Sequence, residues 1–243
     1  MNINNVIARS LAHLKQSLKK FRDRFLAQLG LTRIKELSAL EKKLEICSAT
    51  SDYLFDLSFS DYILEEIFER AERVKQTEIS GKLHTKRFRN RFGVSSGLTK
   101  KQAFFLELDC LSRIAECCDI EAQQHFPILI DYDTEQFTIT TSHNGISLKD
   151  IREVIAVPDF NCQLSLILST LSKAQVAHLD CHPNGKNLTV SNEGIISLID
   201  FDNAQVKDQP FNHIMRNRYE NNFQKTKEKM VFAVVNCKFL ILK

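Results

Sequence analysis

Apolar residues recur every three or four positions near the start of the chain, a spacing that aligns them on one face of a helix. The residues of this face are Ile7, Leu11, Leu14, Leu18, Phe21 and Phe25. Lysines and arginines occupy much of the remaining surface, so the pattern predicts a basic amphipathic helix over residues 6–29. Such a helix either lies on an anionic membrane surface or packs on protein with its charges solvated.

Farther along the chain, helical periodicity and strand-like patterns follow one another. Helices are predicted within residues 98–118, 161–175 and 214–230, and a helical or mixed pattern covers residues 51–74. Thr99 is the predicted amino-terminal cap of the helix within 98–118. Turn formers and residues of high β propensity predict strands and turns within residues 77–97, two strands within 125–148 and an apolar strand within 194–201.

Composition narrows the class of protein. The chain has 243 residues, 43% of them apolar, which suffices for one two-lobed domain or two small ones. A net charge of +3 is too small to indicate nucleic-acid binding. The seven cysteines are odd in number and lack paired CxxC spacing, which argues against a disulfide framework and a zinc site. Reduced thiols and the lack of a signal-peptide pattern predict a cytoplasmic protein. If the basic helix binds lipid, it would bring the protein to the inner face of the cell membrane.

One segment, residues 176–204, places carboxylates and amides between runs of aliphatic residues. These polar residues are His178, Asp180, Asn184, Asn187, Asp200 and Asp202. The extended "NLTV", the turn "SNEG" and the strand "IISLID" predict a hairpin that brings Asp200 to the same end as Asn187. The simpler interpretation is a hairpin whose ends carry Asp and Asn because these residues favour turns.

The same segment has the parts that phosphoryl transfer requires. That chemistry needs a carboxylate to orient the acceptor hydroxyl, oxygen ligands for magnesium and a cation on the nucleotide phosphates. "HLDCHPNGKN" followed by "IDFD" resembles the catalytic loop and magnesium-binding motif of the protein-kinase-like superfamily. The Asp-Phe-Asp ending is most similar to the bacterial lipopolysaccharide core kinases, the Kdo and heptose kinases, whereas eukaryotic protein kinases normally carry Gly at the position of Asp202.

This resemblance implies an α+β, two-lobed protein-kinase-like fold. Residues 1–75 would form an added amino-terminal helical segment, residues 76–150 the amino-terminal lobe, and residues 151–243 a small carboxy-terminal lobe with the catalytic loop. His178 would brace that loop as a structural residue.

The resemblance also implies roles for the polar residues. Asp180 would be the catalytic base, and Asp200 and Asn187 would be magnesium ligands. The family usually places its Asn five residues after the catalytic Asp, where this chain has Gly185. Either Asn184 fills the role one residue early, or a two-residue insertion leaves it to Asn187. We favour Asn187, because the "NLTV" that begins there behaves like the strand that normally follows.

In the amino-terminal lobe, the superfamily pairs a strand lysine with a helix glutamate to position the phosphates. Lys86 in "LHTKRF" and Glu107 in "FFLELDCL" have the right order and separation. Other lysines that could replace Lys86 are Lys82, Lys100 and Lys101. Lys86 and Glu107 are therefore the predicted nucleotide-binding pair, with the choice of lysine left open.

The connection between the two lobes would be "TTSHNGISL", with backbone groups near Ser142 to Gly145 contacting adenine. No glycine-rich GxGxxG loop precedes the predicted lysine, because Gly81 stands alone there. This departure from the family pattern keeps open a pseudokinase that binds without turnover.

Together these features predict an ATP- and magnesium-dependent phosphotransferase that acts on a sugar hydroxyl of lipopolysaccharide core or a related glycolipid. The basic residues 205–243 favour an anionic acceptor. Two alternatives remain: a kinase of a soluble small molecule or protein, and a pseudokinase that acts as a binding or scaffold protein. The expected partners are a nucleotide and a hydroxyl-bearing acceptor, with peripheral contact to an anionic membrane and without nucleic acid.

Overall fold

A computed structural model describes residues 61–77, 82–89, 98–207 and 219–243 of the chain. The predicted basic helix over residues 6–29 lies outside these residues. The helices of the described part are α1 (Asp61–Val74), α2 (Lys100–Cys117), α3 (Ile120–Gln123), α4 (Phe160–Lys173) and α5 (Tyr219–Val235). Its strands are β1 (Leu83–Arg87), β2 (Leu129–Asp133), β3 (Thr138–Ser142), β4 (Ile146–Ser147), β5 (Ile155–Val157), β6 (Val176–Ala177), β7 (Leu188–Val190), β8 (Ile196–Leu198), β9 (Gln205–Val206) and β10 (Leu240–Leu242). Helices and small, mainly antiparallel sheets make this an α+β architecture, as the sequence predicted.

Helix α2 is the central helix of the described part, and it begins at the predicted cap. The Thr99 hydroxyl accepts a hydrogen bond from the Gln102 backbone N–H at 3.2 Å. The Gln102 side-chain oxygen accepts from the Thr99 backbone N–H at 2.9 Å. This reciprocal capping box satisfies two amino-terminal N–H groups that the helix itself cannot pair. Most of the helix is buried, including Glu107 and Asp109, so its polar residues need partners from other elements.

The first sheet is antiparallel, with strand order β1-β3-β2. The β2–β3 turn is closed by Asp133, whose carboxylate accepts from the backbone N–H groups of Glu135 and Gln136 at 2.8 and 2.9 Å. Helix α2 packs beside the sheet through Phe104, whose ring lies 5.6 Å from that of Phe88 and 5.5 Å from that of Phe137. This packing fixes the distance between β1 and α2.

The second sheet has the order β4-β7-β8 and contains the predicted hairpin. All residues of β7 and β8 are buried. Gly194 turns the chain between them with φ +81°, and a Cβ there would lie 2.0 Å from the carbonyl oxygen of Ala156, so only glycine fits. Helix α4 anchors the hairpin, because the Gln163 side-chain oxygen accepts from the Ile196 backbone N–H at 2.9 Å.

The carboxy-terminal residues extend the helix predicted within residues 214–230. Helix α5 continues through "VFAVV" to Val235, because Met230, Ala233 and Val234 are buried against the core and this burial outweighs the lower helix propensity of the valines. After it, β10 pairs in parallel with β5. Two further short strands, β6 and β9, form an antiparallel pair.

Helices α1 and α2 are joined by a cluster of charges. The guanidinium of Arg70 lies 2.5 Å from the carboxylate of Asp109, 2.6 Å from that of Glu66 and 3.1 Å from that of Glu116. Arg113 makes a second contact with Asp109, at 2.9 Å. Both Arg70 and Asp109 are buried, so the cluster belongs to the helix interface rather than to the solvent surface.

All described residues belong to one compact unit that extends from Thr50 to Lys243. Helix α1 shares its core with the elements that follow, although its residues fall within the predicted segment 1–75. The predicted boundaries at 75 and 150 remain predictions. No helix in the described ranges has the length and apolar character that crossing a bilayer requires.

His125 joins the loop after α3 to the second sheet. Its ring Nδ1 lies 2.6 Å from the carbonyl oxygen of Ile196, and the His125 carbonyl accepts from the Leu198 backbone N–H at 2.9 Å. Because a carbonyl only accepts, Nδ1 carries the proton. Within the described residues Nε2 has no hydrogen-bond partner, and the side chain is buried. Burial lowers the pKa of His125 below its ordinary value of 6.5.

We expect this histidine to make the fold sensitive to acid. The folded state binds the proton less readily than the unfolded chain, so the contribution of His125 is fully present above pH 6.5 and is lost as the pH falls. The free energy of unfolding, measured with urea at pH 7.5 and 5.5, should depend less on pH for His125→Asn than for the wild type. The asparagine amide keeps an N–H donor but has no proton to gain in this pH range. Equal pH dependence in the two proteins would contradict this assignment.

Candidate functional site

Lys86 on β1, Glu107 on α2 and Asp200 after β8 come together at one point. The Lys86 ammonium contacts the carboxylates of Glu107 and Asp200, and lies 3.0 Å from that of Asp202. Glu107 is 21 positions from Lys86 in the chain and Asp200 is 114 positions away. The lysine that reaches the predicted glutamate is therefore Lys86. Lys100 instead lies over the ring of Phe137, 4.8 Å from its centroid.

The charges in this cluster do not balance, because one ammonium faces three carboxylates. Burial alone would lower the pKa of Lys86, but the neighbouring carboxylates outweigh burial and raise that pKa. Burial raises the pKa of Glu107 to about 7, although Lys86 acts in the opposite direction. Burial also acts to raise the pKa of Asp200, but the contact with Lys86 is stronger and lowers it. Lys86 therefore stays charged, and the cluster has negative charge left to attract a further cation.

Asp200 sits where the chain leaves β8, and it has φ +68°. Such left-handed conformations are uncommon for residues other than glycine, although Asp tolerates them. The preceding residue is held on both sides: the Ile199 backbone N–H donates to the Asn187 carbonyl at 3.0 Å, and the Ile199 carbonyl lies 2.8 Å from the ring Nε2 of His178. The hairpin register thus brings Asp200 and Asn187 to one end, as the sequence predicted.

His178 is a buried brace rather than an exposed reactive group. Its ring packs edge-on against Phe201 with 4.9 Å between centroids, and its carbonyl accepts from the Thr226 hydroxyl of α5 at 2.9 Å. Burial lowers the pKa of His178, which keeps the imidazole neutral at physiological pH. The residue connects the loop that carries Asp180 to the strand end that carries Asp200.

Asp180 is partly exposed and is hydrogen-bonded to Asn187. The Asn187 side-chain nitrogen donates to the Asp180 carboxylate at 3.0 Å and to its carbonyl at 2.9 Å. Asn184 is exposed, and its side-chain oxygen accepts from the Lys186 backbone N–H at 3.1 Å inside the "NGK" turn. Gly185 has φ +74°, which suits this turn. Of the two candidate amides, the geometry brings Asn187 to the predicted base.

The predicted interlobe connection follows β3 directly. The Ser142 hydroxyl accepts from the Ile128 backbone N–H and donates to the Asn144 side chain, both at 2.9 Å. Gly145 has φ +92°, and a Cβ there would lie 2.3 Å from the carbonyl oxygen of Val190. These contacts hold the connection close against β7, so its shape is set by neighbours on both sides.

The predicted residues surround a cavity of about 580 Å³. Its lining includes Lys86, Glu107, Ser142, Gly145, Asn187 and Asp200, which are all of the predicted site residues except Asp180. Small-molecule sites typically occupy about 300–1,000 Å³, and the cavity falls within this range. Lys149 and Lys186 also line it, and the sequence patterns did not single them out. Lys186 acts electrostatically on Asp200, whereas Lys149 lies 3.9 Å from the carboxylate of Asp150, which lines the cavity too.

Two of the donors that line the cavity, Asp200 and Asn187, suit a magnesium ion. Carboxylate oxygens of Glu107, Asp200 and Asp202 lie within 4.8 Å of one another, but they converge on the Lys86 ammonium, and Asp202 does not line the cavity. Asn187 donates its side-chain nitrogen to Asp180, which leaves its amide oxygen as the ligand atom. Magnesium prefers carboxylate and amide oxygens and keeps several waters, so Asp200 and Asn187 fit the predicted role.

No family model matches this chain, and no curated protein matches its sequence. The kinase-like interpretation therefore depends on the motifs between His178 and Asp202 and on the geometry of the residues that meet around the cavity.

Proposed function

We propose that the chain is an ATP- and magnesium-dependent phosphotransferase with a protein-kinase-like fold. The observation that carries the proposal is the meeting of Lys86, Glu107 and Asp200. The three lie on a strand, on a helix and after a hairpin, and the sequence pattern predicts a nucleotide-binding pair and a metal ligand at these positions. A chance hairpin with acidic ends explains Asp200 but gives no reason for a half-buried lysine and a buried glutamate to converge on it.

The two-lobed arrangement is part of this proposal. The sheet β1-β3-β2 and helix α2 would belong to the amino-terminal lobe, and the hairpin β7–β8 with α4 and α5 would belong to the carboxy-terminal lobe. Residues 142–145 would connect them, and both Ser142 and Gly145 line the cavity where adenine would bind. The cavity thus lies where the proposed lobes meet.

In the proposed reaction, the Asp180 carboxylate accepts a hydrogen bond from the acceptor hydroxyl and takes its proton. The hydroxyl oxygen forms a bond to the γ-phosphorus as the bond from that phosphorus to the bridging oxygen of ADP breaks. The Asn187 side-chain nitrogen orients the Asp180 carboxylate through one hydrogen bond and holds the Asp180 carbonyl through a second. Lys86 would contact the nucleotide phosphates, while Asp200 and Asn187 would hold magnesium, which supplies positive charge against the phosphate oxygens.

The proposed acceptor is a sugar hydroxyl of lipopolysaccharide core or a related anionic glycolipid. Lys186 supports an anionic acceptor because it lines the cavity and its charge acts to lower the pKa of Asp200, whereas Lys149 has the carboxylate of Asp150 3.9 Å away. The basic composition of residues 205–243 points in the same direction. An acceptor with a positive charge would instead favour acidic residues at these positions.

Transfer from γ-radiolabelled ATP tests the proposal. The full chain is incubated with magnesium and a lipopolysaccharide core or lipid A precursor, and with a soluble neutral sugar as the comparison acceptor. We expect labelled glycolipid and little labelled sugar. Nucleotide binding without transfer to either acceptor would indicate the pseudokinase alternative. A chain that binds no nucleotide at millimolar magnesium would contradict the proposal.

A further inference from the structure

Asp202 completes the contacts of the Lys86 ammonium. Its Oδ2 lies 3.0 Å from Lys86 Nζ, and its Oδ1 accepts from the Asn203 side-chain nitrogen at 2.8 Å. The turn that carries it is closed by a hydrogen bond of 3.0 Å from the Ala204 N–H to the Phe201 carbonyl. The side chain is thus held on Lys86 by a short, buried turn.

The two aspartates of the Asp-Phe-Asp motif face different surroundings. The Asp200 side chain is 21% exposed and lines the cavity. The Asp202 side chain is only 3% exposed, and among the described residues it is not part of the cavity lining. A ligand in the cavity would therefore touch Asp200 directly, whereas it would sense Asp202 through Lys86.

We infer that Asp202 is a positioning residue that holds Lys86 so that Asp200 remains available to a metal ion. The inference rests on the proposed function, since it concerns the metal and nucleotide of the same site. The position that Asp202 occupies carries Gly in eukaryotic protein kinases, which have no side chain there to make this contact.

The physical reason is competition for one carboxylate. A metal ion and the Lys86 ammonium are both attracted to the Asp200 carboxylate. In a poorly solvated site, a stronger contact of Asp200 with one of these cations weakens its contact with the other. Glu107 and Asp202 hold the ammonium from the two other directions. Without the charge of Asp202, Lys86 would pair more strongly with Asp200 and oppose the metal. The effect of Asp202 on metal binding should then require the lysine.

A double-mutant cycle tests this dependence on Lys86. The affinity for ADP is measured by calorimetry with and without magnesium, and the ratio of the two dissociation constants gives the gain from the metal. We expect Asp202→Asn to reduce this gain by about tenfold, the scale of residues that orient metal ligands. In the Lys86→Met background the same substitution should change the gain by less than about twofold, since the competing ammonium is gone. Using a ratio cancels the loss of ADP affinity that Lys86→Met itself causes.

Each result has a defined meaning. Equal loss of the magnesium gain in both backgrounds would show that Asp202 acts on the metal directly and would overturn the inference. Lower thermal stability with an unchanged gain would overturn it as well, because the contact would then be structural. A wild-type chain without any magnesium gain would instead overturn the magnesium role of Asp200 and, with it, the proposed function. Asp131→Asn, at an exposed carboxylate on β2, is the matched control and should leave the gain unchanged.

Discussion

Asp180→Asn is expected to lower phosphoryl transfer by about 10²–10⁴-fold, the range that positioned acid–base groups contribute. The amide has nearly the same shape as the carboxylate but cannot accept the proton of the acceptor hydroxyl. Asp180 is partly exposed and keeps its backbone hydrogen bond with Asn187, so folding should be unaffected. Initial rates with γ-radiolabelled ATP and the glycolipid precursor measure the loss.

The matched control for this prediction is Asp131→Asn, which makes the same chemical change at an exposed position of β2. Nucleotide affinity should be within about threefold of the wild type for both variants. Asp180 acts on the acceptor and does not line the cavity, which it reaches only through its hydrogen bond with Asn187. Transfer that persists at the wild-type rate in Asp180→Asn would remove Asp180 from the mechanism.

Asp109→Ala is expected to lower the free energy of unfolding by about 3–5 kcal/mol, the usual cost of removing one partner of a buried ion pair. The substitution leaves Arg70 buried between α1 and α2 with its contact to Asp109 gone. Glu66 and Glu116 remain near the guanidinium, but their side chains are 50% and 36% exposed and are better solvated. Urea denaturation followed by circular dichroism measures the change.

A second variant separates charge from cavity formation at this site. Replacing both residues, as in Arg70→Met with Asp109→Leu, removes the buried charges and fills the space, and should recover most of the lost stability. Glu65→Ala on α1 is the surface control, because it removes an exposed carboxylate from the same helix. If Asp109→Ala is no more destabilising than Glu65→Ala, the cluster does not hold the two helices together.

Much of the local structure followed from the sequence because local interactions decide it. Thr99 begins α2, since a hydroxyl at that position can cap the helix and Gln102 can complete the box. The turn residues around Gly194 predicted the hairpin β7–β8, and its register carries Asn187 and Asp200 to the same end. The helix within residues 214–230 was predicted too short, because the burial that extends it depends on distant residues.

In the candidate site too, some residues follow from the sequence, whereas the choice between alternatives depends on packing. The resemblance selected Lys86 and Glu107, but the pattern of charges could not distinguish Lys86 from Lys82, Lys100 or Lys101. That choice depends on β1 pairing with β3 and on Phe104 packing α2 beside the sheet. The sequence favours Asn187 over Asn184 because the extended "NLTV" begins there, and the contact of Asn187 with Asp180 gives this preference a geometric basis.

Spacing and capping within a few residues are enough to predict where α2 begins, where the hairpin turns and which polar residues stand at its ends. The pairing of charges instead depends on how distant elements pack. The contacts of Lys86 with Asp200 and of Arg70 with Asp109 join residues 114 and 39 positions apart. The physical reason is that a buried charge is tolerated only beside its partner, and packing of whole helices and sheets selects that partner.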